Sequence, residues 1–277
     1  MHKTIRLGFS ACPNDTAIFH GLISGLVPLP GLHLHHRIED VDTLNRLAAN
    51  GKLDVTKVSM HAFGQLRSEY VLLRSGAALG RGCGPLVVAR QPLAPEELGG
   101  RRIAVPGNLT TATLLMRLFG IDASCLVQMP FHAILPAVTT GQVDAGVLIH
   151  EARFTCEARG VFRVLDLGVW WQSLTGLPLP LGGIAARRCL GDTLHRQLEE
   201  AIRRSIDVFR AQPQRAADFI RENAREQDEK VLEGHIGLYV NDFTRCLDKT
   251  GEAAIGELLC RAEAGGILPP CPGGIFR

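Results

Sequence analysis

Hydrophobic and polar positions along this chain form alternating helix-like and strand-like stretches, and one such unit occurs twice. The first copy covers residues 47–59 and the second covers residues 137–150. Each copy has a helix-like stretch, then Gly51 or Gly141, then a short apolar run that follows an aspartate. Glycine just past a helix supplies a left-handed cap, and the apolar run has the length and β-branched content of a buried parallel strand. The repeat therefore predicts two α/β units that face each other.

The remaining pattern predicts further elements around each copy. Strands are predicted at residues 5–9, 33–38, 70–73, 85–90, 102–107 and 161–165, and helices at 17–26, 41–50, 61–67, 110–119 and 132–140. Beyond Asp192 the pattern is helical, with helices predicted at 194–211, 213–225 and 252–264. Asp15 or Thr16 is expected to cap the first helix, and residues 177–180 are expected to form a proline-rich turn.

Two strand-like segments, residues 85–90 and 182–187, resemble each other and both end in arginine. We interpret them as crossings between two lobes. Residues 1–90 then form the first part of lobe one, residues 91–183 form lobe two, and residues 184–277 return to lobe one and supply the C-terminal helices. This order predicts a two-lobed α/β fold of the type II periplasmic-binding-protein kind, with a central cleft and two hinge crossings. Such a fold serves both receptors and enzymes.

Composition and charge narrow the class of protein. With 277 residues, of which 46% are hydrophobic, the chain can bury a large core. Its 30 basic and 28 acidic side chains leave a formal charge of +2, which argues against a nucleic-acid partner. The first residues lack the apolar segment of an export signal, and no stretch approaches the roughly 20 apolar residues of a membrane span. A cytoplasmic protein without a membrane partner is expected.

Cysteine and histidine spacing gives no sign of a metal site. The eight cysteines form no C-x-x-C pair, and no histidine is placed to complete a zinc site. In a reducing compartment such scattered thiols usually behave as small buried hydrophobes. Neither a metal nor a disulfide is expected.

Polar residues at the carboxyl ends of predicted strands are the first candidates for a site. Ligands of open α/β sheets sit beyond these ends, where Lys57, Ser59 and His150 fall. A lysine in an apolar strand needs a partner, and a ligand carboxylate is one candidate. Imidazole is the side chain best suited to accept a proton near neutral pH, although a lone histidine is often structural. The other nine histidines lack the placement of His150.

Two predicted helix starts are further candidates. Residues 10–16, with Asn14, either form a local capping turn or bind a carboxylate or hydroxyl of a ligand. Thr110 and Thr111 open a helix after a glycine-containing turn, so they form either an anion site or a simple N-cap. Trp170 and Trp171 either line the cleft or pack in the core. The expected partner is a small-molecule carboxylate, and the oligomeric state stays open, a homodimer included.

Seven segments together resemble the 1,4-dihydroxy-6-naphthoate synthase family, which acts in the futalosine route to menaquinone. They are SACPNDTAIFH at residues 10–20, EDVDTLN at 39–45, TKVS at 56–59, RSGAALGRGCGPLVVAR at 74–90, VPGNLTTA at 105–112, IHEARFT at 149–155 and TGLPLPLG at 175–182. The resemblance covers nearly the whole chain in one order without large gaps.

This resemblance implies a lyase that converts cyclic dehypoxanthine futalosine to 1,4-dihydroxy-6-naphthoate without a metal or organic cofactor. The proposed proton acceptor of the family falls on His150, and the substrate-contacting positions fall on Lys57, Val58, Ser59, Thr110 and Thr111. Asn14 and Arg153 are added as candidate substrate contacts, and the role of Arg81 is left open. From these roles we expect His150 to remove a proton next to the substrate ketone, while Ser59 and the threonine pair stabilise the enolate oxygen.

Three rival functions share parts of this pattern. A solute-binding receptor has the same fold but needs an export signal. Chorismate dehydratase, an enzyme of the same pathway, acts on a smaller carboxylate, and the segments at residues 149–154 and 175–182 favour the synthase over it. A ligand-sensing regulatory domain is expected to carry a helix-turn-helix, for which the chain leaves no residues.

Overall fold

The computed structural model describes residues 3–149, 153, 156, 159–271 and 273–276. In the first part of the chain the elements are β1 (Lys3–Phe9), α1 (Pro13–Ile23), β2 (Leu32–Ile38), α2 (Val41–Ala49), β3 (Val55–Ser59), α3 (Met60–Leu66), β4 (Tyr70–Leu72) and β5 (Ala78–Gly80). The middle part has β6 (Leu86–Ala89), β7 (Ile103–Val105), α4 (Thr111–Leu118), β8 (Leu126–Gln128), α5 (Phe131–Thr139), β9 (Ala145–Leu148), β10 (Phe162–Asp166) and α6 (Leu167–Thr175).

The last part of the chain begins with a long strand and continues as helices. Its elements are β11 (Leu179–Arg187), α7 (Asp192–Ala211), α8 (Ala217–Asn223), α9 (Glu229–Tyr239), α10 (Asp242–Arg245) and α11 (Lys249–Ala264). Short 3₁₀ turns occur at Pro95–Leu98, Ala123–Cys125, Arg188–Leu190 and Pro213–Ala216. Within the described part of the chain, no helix is both long enough and apolar enough to cross a bilayer.

The strands form two sheets, one in each lobe. In lobe one the order is β2-β1-β3-β11-β4, and β5 also pairs with β11. In lobe two the order is β10-β6-β9-β7-β8. Strands β1, β2 and β3 are parallel, as are β7, β8 and β9, whereas β11 and β6 run antiparallel to their neighbours. The predicted two-lobed α/β fold is confirmed.

The sequence repeat corresponds to the same structural unit in each lobe. Gly51 and Gly141 have left-handed φ values of 63° and 75°, and each ends the helix before the repeat strand. The repeat strands β3 and β9 are parallel to β1 and β7, as the pattern predicted. Because parallel strands end at the same sheet edge, both repeats deliver their following residues to one side of each lobe.

The two similar segments that we interpreted as crossings, residues 85–90 and 182–187, belong to strands β6 and β11 and are not the crossings themselves. Strand β6 pairs antiparallel with β9 in lobe two, and β11 pairs antiparallel with β3 in lobe one. The chain changes sheets just before each of them, at residues 81–85 and 176–178. The chain therefore passes from one sheet to the other a few residues before each of the predicted lobe boundaries, which are 90/91 and 183/184.

Two local predictions are wrong for physical reasons. Neither Asp15 nor Thr16 caps α1, because Cys12 occupies the N-cap position and the Asp15 carboxylate faces Ser10 instead. The predicted turn at 177–180 is already strand from Leu179 onward. Pro180 fits there because the pairing of β11 with β5 shifts register next to it, where a missing N–H is tolerated.

The C-terminal helices pack on elements of lobe one and add to its core. Helix α7 lies against α1, where the Ser205 hydroxyl donates to the Ile18 carbonyl at 2.5 Å and Gly21 leaves no room for a side chain. Helix α11 packs on β11, α3 and α4, so it contacts elements of both lobes.

Candidate functional site

A cleft lies where the carboxyl ends of the parallel strands of both sheets meet. Its empty volume is about 740 Å³, counting the part open to solvent. Lobe one lines it with residues after β1, the first residue of α2, the end of β3, the first residue of β5 and part of β11: Ser10, Cys12, Asn14, Asp15, Val41, Lys57, Val58, Ser59, Ala78, Leu181 and Gly182. The rest of the wall comes from Gly84, Pro85, Thr110, Thr111, Ala112, Ile149, Arg153, His235 and Tyr239.

Lys57 has a protein partner within this wall. Its Nζ lies 2.6 Å from Oδ1 of Asp15, and the two side chains are only 7% and 1% exposed. The same carboxylate accepts hydrogen bonds from the Ser10 amide and hydroxyl and from Nδ2 of Asn14. A buried charge requires such compensation. The lysine charge is thus neutralised locally, and an ammonium group has further N–H bonds to offer a ligand.

Ser59 is held in place by Asn45, which is fully buried on α2. Asn45 Oδ1 accepts the Ser59 amide at 3.0 Å, and Asn45 Nδ2 donates to the Ser59 hydroxyl oxygen at 3.1 Å. Because the oxygen accepts this bond, the hydroxyl hydrogen can be donated to a ligand. The Asn45 amide also lies 3.4 Å from the Leu109 carbonyl of lobe two.

The two threonines at the start of α4 use their hydroxyls within the protein. Thr110 is the N-cap, accepting from the Thr113 amide and donating to the Gly107 carbonyl at 2.8 Å. Thr111 Oγ1 accepts from the Met60 amide at 2.9 Å and donates to the Leu181 carbonyl at 2.5 Å, so it joins α4 to lobe one. First-turn N–H groups have no acceptor within a helix. The amides of Thr111 and Ala112 are therefore the groups that α4 can offer a ligand.

Arg153 anchors the lobe-two side of the cleft. Its guanidinium donates to the Gly84 carbonyl at 2.7 Å and to the Asp166 carboxylate at 2.8 Å. Burial alone would lower the pKa of Arg153, but Tyr239 and Asp166 outweigh it and raise that pKa. For Tyr239, which is hydrogen-bonded to Arg153 and Cys83, burial disfavours the charged form and raises the pKa. Arg153 thus ties lobe two to α9 beside a crossing.

Two side chains of α9, His235 and Tyr239, line the cleft although no sequence pattern predicted them there. His235 is 2% exposed, and its Nε2 lies 3.0 Å from the Cys12 sulfur and 3.3 Å from Oδ1 of Asn14. The expectation that nine histidines lie away from the site is therefore wrong for His235. No local pattern marks this residue, because its neighbours in the cleft lie 221 and 223 positions earlier in the sequence.

The described site candidates converge on this one cleft. Its lining includes Asn14, Lys57, Val58, Ser59, Thr110, Thr111 and Arg153. His150 lies outside the described residues, and the residue before it, Ile149, lines the cleft.

Trp170, Trp171 and Arg81, whose roles the sequence also left open, are not part of the cleft lining. Trp171 is fully buried and donates to the Pro178 carbonyl, whereas Trp170 packs edge-on against Phe119. Both tryptophans thus serve packing. The Arg81 guanidinium lies 5.4 Å above the ring of Phe243. Among the residues that the structure describes, no three His, Cys, Asp or Glu side chains converge as metal ligands would.

This architecture defines a two-lobed α/β protein of the periplasmic-binding-protein type with a ligand cleft between its lobes. A solved protein of Archaeoglobus fulgidus superposes with a TM-score of 0.89 at 38% identity, covering 96% of this chain and 98% of that one. The alkanesulfonate-binding protein of Xanthomonas axonopodis, bound to MOPS, gives a TM-score of 0.70 at 12% identity, covering 96% and 94%. The second likeness shows the fold alone.

Sequence comparison gives the family. A family model described as menaquinone biosynthesis matches residues 5–264. The chain is 48% identical to the 1,4-dihydroxy-6-naphthoate synthase of Thermus thermophilus over 99% of both chains, and 45% identical to that of Streptomyces coelicolor over 96% of this chain and 95% of the other. The chain belongs to the menaquinone biosynthesis family that contains these enzymes.

Proposed function

We propose that this protein is a 1,4-dihydroxy-6-naphthoate synthase, a lyase that converts cyclic dehypoxanthine futalosine to 1,4-dihydroxy-6-naphthoate. The observation that carries this proposal is the convergence of Lys57, Ser59, Thr110 and Thr111 from two lobes on one cleft. These are the positions that the family resemblance assigns to the substrate. The near full-length identity to two enzymes of that name supports the same reaction.

In the proposed mechanism, His150 removes a proton next to the substrate ketone. Ring opening with loss of the sugar-derived fragment follows, and aromatisation makes the overall step favourable. Proton transfer of this kind is within the reach of an imidazole near neutral pH. The reaction as proposed needs no metal or organic cofactor and takes place in the cytoplasm.

The hydrogen bonds of the cleft change which groups would stabilise the enolate oxygen. The hydroxyl hydrogens of Thr110 and Thr111 are donated to the Gly107 and Leu181 carbonyls. We therefore assign this role to the Ser59 hydroxyl and to the first-turn amides of Thr111 and Ala112. Donors held in fixed positions around a developing oxyanion lower the barrier because they need no reorganisation.

The substrate carboxylate would be bound without a free cationic side chain from lobe one. The positive charge of Lys57 is already balanced by Asp15 at 2.6 Å. We infer that the carboxylate is recognised by the remaining N–H bonds of Lys57, because the first-turn amides of α4 are assigned to the enolate oxygen. This arrangement suits one carboxylate and disfavours a dianion.

The proposal is tested by incubating the purified protein with cyclic dehypoxanthine futalosine and detecting 1,4-dihydroxy-6-naphthoate by mass spectrometry. The wild type should form product, and His150→Gln should lose at least about 100-fold in kcat, a typical loss on removing a general base. His33→Gln is the matched control and should keep wild-type kcat, since His33 is exposed on the edge strand β2 away from the cleft. Retention of most turnover in His150→Gln would refute the base assignment, and binding without product in the wild type would favour a receptor.

A further inference from the structure

A second cavity lies next to the main cleft. Its empty volume is about 470 Å³, again counting the part open to solvent. Asp40, Val41, Phe131, Arg225 and the turn of residues 10–12 line it. Ser10, Cys12 and Val41 also line the main cleft, so the two cavities adjoin at these residues. A ligand that passes these residues reaches from one cavity into the other.

The two cavities differ in chemical character. The charged groups of the main cleft are paired within the protein, Lys57 with Asp15 and Arg153 with Asp166, and aliphatic groups such as Val58, Ala112 and Leu181 line the space between them. The outer cavity carries the Asp40 carboxylate and the Arg225 guanidinium. These two charges cancel, and together they offer both acceptors and donors. Such a pair fits a neutral group with several hydroxyls better than a second anion or cation.

Asp40 is held as a charged acceptor. It caps α2, where Oδ1 accepts the Thr43 amide at 3.0 Å and Oδ2 accepts the Thr43 hydroxyl at 2.8 Å. Partial burial acts to raise the pKa of Asp40, but the bonds from Thr43 outweigh it and lower that pKa. Each carboxylate oxygen has a second lone pair, which a ligand hydroxyl can use.

Both lobes line the outer cavity, and Arg225 contacts both of them. The residue follows α8, which packs with lobe one, yet its guanidinium lies 4.8 Å above the ring of Phe131 at the start of α5 in lobe two. Its Nη1 also lies 3.1 Å from Nδ1 of His132. The ring holds the guanidinium over the cavity mouth, and a guanidinium has five N–H donors, so several can still reach a ligand.

We propose that the outer cavity is the subsite for the sugar-derived part of the substrate, with Asp40 and Arg225 binding its hydroxyl groups. This inference rests on the proposed function, because it takes the substrate to have two parts. The carboxylated ring system then occupies the aliphatic main cleft, next to Ser59 and the start of α4. The released fragment leaves through the mouth that Arg225 and Phe131 border.

The test compares a ligand that has the sugar-derived part with one that lacks it. Arg225→Gln and Asp40→Asn should each raise the KM for cyclic dehypoxanthine futalosine by about 10-fold, the loss expected for a charged hydrogen bond. The Kd for 1,4-dihydroxy-6-naphthoate, measured by calorimetry, should change less than about 2-fold, because the product has no group in the outer cavity. Asparagine preserves the cap of α2, so folding is retained.

Arg221→Gln is the matched control, since Arg221 is an exposed arginine paired with Asp218 and Glu229. It should leave both constants unchanged. An unchanged KM in both subsite variants, or a product Kd that rises in step with KM, would overturn the subsite. Absence of turnover by the wild type would instead refute the proposed function, and the subsite with it.

Discussion

Replacing Asp15 by asparagine should destabilise the protein far more than the loss of one surface ion pair would. Asp15 and Lys57 are 1% and 7% exposed and lie 2.6 Å apart. The Asp15 carboxylate accepts four hydrogen bonds, from Lys57 Nζ, Asn14 Nδ2 and the amide and hydroxyl of Ser10. An asparagine has a single acceptor oxygen, so it can keep only part of this set. It also leaves the lysine charge buried without a counterion.

The magnitude follows from the burial of the pair. Removing one partner of a buried ion pair costs about 3 to 5 kcal/mol. Unfolding entropy of about 2.1 cal/mol/K per residue gives about 0.6 kcal/mol/K for this chain. A loss of about 4 kcal/mol therefore lowers Tm by roughly 7 °C. Differential scanning calorimetry measures this shift directly.

A double-mutant cycle separates the ion pair from the other effects of the substitution. Lys57→Met in the Asp15→Asn background removes the unpaired charge, so the double variant should be more stable than additivity predicts, by about 2 kcal/mol or more. Asp218→Asn is the control, because Asp218 is 90% exposed in its pair with Arg221, and it should cost less than about 1 kcal/mol. Additive single effects, or an Asp15→Asn cost equal to that of the control, would show that the buried pair does not stabilise the fold in this way.

Three further predictions concern residues that support the cleft. Asn45→Ala should lower kcat, because Ser59 loses both bonds that orient it, and should cost about 1 to 3 kcal/mol in the free energy of unfolding; a full kcat would contradict this. Thr111→Val should lower the free energy of unfolding, measured with denaturant, by a similar amount, because the Met60 amide loses its acceptor. Thr111→Ser keeps the hydroxyl and should therefore keep most of the wild-type stability. Burial lowers the pKa of His61 from 6.5 to about 4, so the unfolded chain binds more protons between these values. The free energy of unfolding should fall by up to about 3 kcal/mol as pH drops through this window, and His61→Gln should remove that part of the decline.

The sequence predicted the features that depend on local pattern. The glycines after α2 and α5, the buried strands β3 and β9 and the two-lobed order all follow from periodicity and turn chemistry within a few residues. The strand-end rule also predicted which parts of the chain meet, because parallel strands end at one edge whatever their side chains are.

Features that depend on distant contacts were not predicted. The partner of Lys57 is Asp15, 42 positions earlier, and local pattern presented that aspartate as a helix cap. His235 enters the cleft only because α9 packs on lobe one. Pro180 belongs to a strand because β11 pairs with β5 across the sheet, where a register shift next to Pro180 tolerates its missing N–H. Tertiary packing decides each of these cases, and no local spacing encodes it.

The most direct test of the central claim is a crystal structure of His150→Gln with cyclic dehypoxanthine futalosine bound. We expect the ring system in the main cleft, with an oxygen within hydrogen-bond distance of Ser59 and the amides of Thr111 and Ala112. The sugar-derived part should lie beside Asp40 and Arg225. Substrate bound in the reverse orientation, or at a site outside the cleft, would contradict the proposed function of the cleft.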